Sequence, residues 1–117
     1  MRPPLVIVGP TACGKSALGL ELAERSIAAG QPAEVVSADA KAVYRGMDIG
    51  TAKVTAQDRR RVPHHLVDIA DPTEEYTVSQ FAIDVEAVLA DLDRREVQPI
   101  LVGGTGLYVR AVVDGFT

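Results

Sequence analysis

Residues 9–16 read GPTACGKS, directly after the apolar run LVIVG at Leu5–Gly9. The octet matches the pattern Gly, four free positions, Gly-Lys-Ser/Thr at every fixed place. Such a loop presents backbone N–H groups to phosphate only between a strand and a helix, so it limits the fold to a few α/β arrangements. The flanks supply that setting. LVIVG is short, apolar and β-branched, as expected of a central parallel strand buried on both faces. KSALGLELAERSIAAG then reads as a helix, with Leu18, Leu22 and Ala29 on one stripe and Gly30 as its stop.

The rest of the chain repeats the alternation. Ala33–Asp39 reads as a second strand ending on an acid, and residues 42–55 as a short helical turn and structured loop. Residues 55–62 suggest a short polar helix, His64–Ile69 a further strand, and residues 70–76 a turn. Residues 77–96 carry the clearest helix. Thr77 and Gln80 form a capping box, and Val78, Phe81, Val85, Val88, Leu89 and Leu92 fall on one face. Gln98–Gly104 is another apolar strand, and residues 105–115 start a last helix. Strands alternating with helices predict a P-loop NTPase-like α/β fold, a parallel sheet with flanking helices. So few strands make a small P-loop domain, and residues 1–117 read as the N-terminal part of a longer, truncated one.

Composition narrows the function classes. The 117 residues hold one core, with two Phe, three Tyr and no Trp, so Val, Leu, Ile and Ala must fill it. A net charge of −4 does not advertise nucleic-acid binding, although it says little about one local face. Cys13 is the only cysteine, which excludes an internal disulfide and fits a cytoplasmic location. No stretch is long and apolar enough to span a bilayer, so no membrane partner is expected.

The loop Gly9, Pro10, Thr11, Ala12, Cys13, Gly14, Lys15 and Ser16 is the candidate diphosphate site. Gly9 and Gly14 permit the sharp turns, Lys15 brings a positive charge, and the Ser16 hydroxyl is a candidate Mg²⁺ ligand. Thr11 lies inside the loop and can donate a further hydrogen bond. Cys13, at a free position, is a redox switch or, more simply, a small filler. Asp39 stands at the carboxyl end of a predicted strand, the edge where open α/β sheets bind ligands. There it would bind Mg²⁺, hold a substrate hydroxyl, or accept a proton; the competing role is a helix N-cap. The last strand ends in glycines and Thr105, without the acid that an ordinary ATPase uses there. His64 and His65, being adjacent, make a poor chelating pair and suit structural roles. Arg59, Arg60 and Arg61 suit a solvated helix face better than phosphate contact.

Taken together, VGPTACGKS, EVVSADAKAVYRGMDIGTAK, VPHHLVDIADPTEEYTVSQF and PILVGGTGLYVRAVVDG resemble, in this order, the tRNA dimethylallyltransferases (tRNA isopentenyltransferases). The resemblance runs from about Leu5 to Gly115, and YRGMDIGTAK and VPHHLVDI are its specific segments. It implies transfer of a dimethylallyl group from dimethylallyl diphosphate to the exocyclic amine of an adenosine in tRNA. That adenosine lies just 3′ of the anticodon, in tRNAs reading codons that begin with U. The loop would hold the diphosphate of a prenyl donor, with Mg²⁺ as cofactor and Ser16 as its ligand. Asp39 would be the general base. Asp39, Ala40, Lys41, Ala42 and Thr105 would contact the tRNA, Thr105 positioning the nucleotide near the acid. The full-length protein would be a monomer.

Two departures follow from the same resemblance. After the acid the family usually reads Asp-Ser-x-Gln or Asp-Ala-Met-Gln, whereas this chain has Asp39, Ala40, Lys41 and Ala42. Ala42 removes a polar side chain expected to help read the substrate. The family's tRNA-gripping helical insertion and an arginine on the diphosphate fall beyond residue 117, so this piece alone is expected to be inactive. Two other readings compete: a small-molecule P-loop kinase with Asp39 on the acceptor hydroxyl, and a non-catalytic remnant.

Overall fold

The computed structural model describes residues 5–8, 15–38, 56–67, 69–71 and 73–103. Within them the sheet has four parallel strands in the order β1-β4-β2-β3. They are β1 (Leu5–Val8), β2 (Ala33–Ser37), β3 (His64–His65) and β4 (Gln98–Gly103). The helices are α1 (Lys15–Ala28), α2 (Ala56–Arg61) and α3 (Val78–Arg94). The parallel α/β sheet with flanking helices is as the alternation of elements requires.

Strand alternation divides the core between the two faces of the sheet. Ala33 and Val35 of β2 and Ile100 and Val102 of β4 pack with Leu20 and Ala23 of α1. Val36 and Leu101 point the other way and pack with Phe81, Val85, Leu89 and Leu92 of α3. Central strands buried on both sides must be apolar throughout, and β4 is buried from Pro99 to Gly103.

Two expectations need correction. In α1, Leu18 is 46% exposed, Leu22 only partly buried, and Ala29 lies in the turn after the helix. The buried stripe is Gly19, Leu20 and Ala23. Small residues there let the helix sit close to the sheet, which decides its rotation more than the larger leucines do. The strand expected over His64–Ile69 ends at His65, because Leu66 turns left-handed (φ 65°) and drops its side chain into the α3 cluster. The structured loop at 42–55 and the last helix at 105–115 lie outside the described residues.

The helix ends show why the elements stop where they do. Gly30 has φ +94°, its N–H donates to Ile27 O, and Gln31 N donates to Ser26 O, closing α1 in a Schellman motif. The same pair of bonds closes α3, from Glu96 N to Asp93 O and from Val97 N to Leu92 O, with Glu96 at φ 59°. At the start of α3, Thr77 Oγ1 accepts from Gln80 N at 3.1 Å. The reciprocal half of the box is not made: the Gln80 side chain donates to Asp84 Oδ1 instead. Asp84 also accepts from the Tyr76 hydroxyl, which fastens the preceding turn to α3.

Candidate functional site

The parallel sheet brings the ends of three strands to one edge. Val8, the last residue of β1, pairs with Gly103, the last of β4. Ser37, the last of β2, pairs with Val102, and Ala38 N donates to Val102 O at 2.8 Å. The chain therefore leaves β1 toward Gly9, β2 toward Asp39 and β4 toward Thr105 from a single edge. This is the carboxyl edge, where open α/β sheets bind ligands.

Of the candidate residues, Lys15 and Ser16 form the first turn of α1, which starts at that edge. No acidic residue stands in that turn, so nothing on it offsets the positive end of the helix dipole. The 14-residue α1 lies over β2 and β4, with its axis reversed relative to the strands because it connects the end of β1 to the start of β2. Gly9, Pro10, Thr11, Ala12, Cys13 and Gly14, then Asp39, Ala40, Lys41 and Ala42, and Thr105 lie outside the described residues.

The two histidines have protein partners. The His64 ring Nδ1–H donates to Val62 O at 2.7 Å, and His65 Nε2 lies 2.6 Å from Glu34 Oε1. Burial holds the His64 imidazole below its ordinary value, against the opposing pull of the Val62 carbonyl. Glu34 also accepts two bonds from the Arg95 guanidinium, at 2.9 and 3.2 Å. Burial alone would raise its carboxyl, but the bonds from Arg95 and His65 outweigh this and hold it below the usual range. Asp91 in turn accepts from Arg95. This network ties β2, β3 and the end of α3 together away from the carboxyl edge. Sequence reading missed it, since its members are 31 and 61 residues apart. Among the arginines of α2, Arg61 makes a two-pronged pair with Glu24 of α1. Among the described residues no group of three or more His, Cys, Asp or Glu is placed to hold a metal ion. None of the described helices is long and apolar enough to cross a membrane.

Comparison with known proteins gives a consistent result. The family model described as IPP transferase matches residues 42–117, more than half of the chain. The tRNA dimethylallyltransferase of Bifidobacterium longum is 54% identical over 111 residues, covering 95% of this chain and 34% of that protein. The corresponding protein of Symbiobacterium thermophilum is 52% identical and covers 100% of this chain and 35% of itself. Among solved structures, the full-length tRNA isopentenylpyrophosphate transferase of Bacillus halodurans superposes with a TM-score of 0.86 at 46% identity. That match covers 100% of this chain and 37% of the other. A eukaryotic dimethylallyltransferase crystallised acting on tRNA gives 0.82 at 34% identity, over 95% of this chain and 26% of its own. The chain thus spans about a third of the length of the curated relatives it matches.

Proposed function

This chain belongs to the IPP transferase family, and from that premise we propose that it forms the donor-binding part of an enzyme that prenylates tRNA. The observation that carries the proposal is the shared carboxyl edge. The phosphate-loop segment, the Asp39 segment and the Thr105 segment all leave the sheet there. Relatives of 50% identity and more are named for dimethylallyl transfer to tRNA.

Alkylating the exocyclic amine of an adenosine needs a base for its proton and stabilisation of the departing diphosphate. Asp39 takes the proton. The backbone N–H groups of the loop, Pro10 apart, the Lys15 ammonium and the start of α1 receive the charge that develops on the diphosphate. The Ser16 hydroxyl is a hard oxygen ligand of the kind Mg²⁺ accepts, beside a helix end free of competing carboxylates. When bound there, Mg²⁺ would neutralise the leaving group. Thr105 positions the adenosine, flipped out of its stack so that the amine can reach the donor. Asp39, Ala40, Lys41 and Ala42 line the tRNA side. The working enzyme is a cytoplasmic monomer of the length of its relatives, with residues 1–117 as the front of its catalytic domain. An isolated chain of these 117 residues is expected to transfer little or no prenyl group.

A chimera tests this directly. In it, residues 1–117 replace the matching third of the Bacillus halodurans relative. It should move labelled dimethylallyl from its diphosphate to tRNA. Asp39→Asn should lower the rate by about a hundredfold or more, as loss of a general base does. A chimera that folds and binds tRNA, yet is as active with Asn at position 39, would contradict the proposal.

A further inference from the structure

At β1 the observed surroundings depart furthest from what the sequence asks for. A continuous apolar, β-branched run such as LVIV suits a central strand covered on both faces. β1 instead ends the sheet: among the described residues it pairs with β4 alone. Leu5 is 49% and Val6 41% exposed. Their register partners Ile100 and Leu101 belong to the α1 cluster and the α3 cluster respectively, so apolar surface is open on both faces of one edge. α1 extends the patch. Its Glu24 meets Arg61 of α2, which leads to β3 at the far end of the sheet. Helical spacing turns Leu22, partly buried, and Leu18, 46% exposed, to the opposite flank, on the β1 side.

Edge strands are usually kept from pairing with another chain by charge, proline or shortness. Leu5–Val8 carries no charge, and Pro3 and Pro4 before it only limit the length of a ladder. The other end of the sheet is protected: β3 has two residues, both histidines, follows Pro63, and His65 is held by Glu34. The chain spans about a third of the length of its curated relatives, and the other two thirds of such a protein are not there to cover β1. We propose that a second copy of this chain covers it, β1 pairing antiparallel with β1 of the copy about a two-fold axis. Two-fold symmetry requires that orientation. It buries Leu5 and Val6 of both copies and turns the two Leu18–Leu22 flanks toward each other on one face of a continuous sheet. With β3 unfit to receive β1, assembly closes at two copies. The dimer is a property of the 117-residue chain itself; it goes beyond the proposed function and does not depend on it.

Sedimentation velocity over a dilution series tests this, reaching about 1 mM because the contact is smaller than a standard interface. Expected is a monomer–dimer equilibrium. By NMR, the outward-pointing amides of Leu5–Val8 should exchange more slowly as concentration rises, while those of His64 and His65 stay unchanged. Val6→Lys places a charge on the edge and should raise the dimer Kd about tenfold or more. Leu18→Lys should weaken the dimer in the same direction without touching the strand, and it decides the matter if Val6→Lys does not fold. Ile83→Lys, at a 62% exposed position on α3, adds the same charge elsewhere and should leave Kd unchanged. A chain that stays monomeric throughout would overturn the proposal and leave the edge to another occupant. So would a dimer that Ile83→Lys weakens as much as the β1-side variants do, or growth beyond two copies.

Discussion

Glu34 shows how single residues tie this fold together. Its side chain is 12% exposed and receives bonds from His65 and Arg95, which belong to two other elements. Its carboxyl is held below the ordinary value of 4.5, so the folded state binds fewer protons there than the unfolded chain. The stabilisation is complete above pH 4.5 and is lost as pH falls through the depressed value. Glu34→Gln should cost about 1 kcal/mol at neutral pH, with partial exposure of Arg95 limiting the loss. Urea midpoints of parent and variant should draw together as pH falls below 4.5 and meet only below the depressed value. A gap that persists unchanged in acid would mean that packing, not charge, holds this corner.

Elements were legible where one periodicity ruled. Thr77 and the run Phe81, Val85, Leu89, Leu92 fixed α3 from sequence, because a cap and an uninterrupted stripe admit one register. The stripe of α1 was misread because two rows of apolar residues compete there, and only tertiary contact with the sheet chooses between them. The short β3 was overextended because a left-handed leucine leaves no mark in an apolar run. At the carboxyl edge the strand ends were legible, while residues 9–14 of GPTACGKS lie outside the described residues. The end of α3 offers a test at this scale. Glu96 occupies a left-handed position that glycine fills at the end of α1. Glu96→Gly should raise stability by about 0.5–1 kcal/mol in thermal unfolding, the strain of a non-glycine residue exceeding the entropy that glycine adds. A lower midpoint would show that Glu96 makes a compensating contact.

The molecule as a whole sets a parallel sheet with three strand ends at one edge within the IPP transferase family. Its sheet directs three strand ends to one edge, and α1 opens there with no carboxylate in its first turn. The same plan would serve a small-molecule P-loop kinase; what separates the two readings is the ligand the loop prefers. The decisive measurement is a calorimetric titration of the chain, with Mg²⁺, against dimethylallyl diphosphate and against ATP, with Lys15→Ala as control. The account predicts tighter binding of dimethylallyl diphosphate than of ATP. It also predicts at least tenfold weaker binding once the lysine charge is removed. Tighter binding of ATP, or binding of the prenyl donor that ignores Lys15, would contradict it.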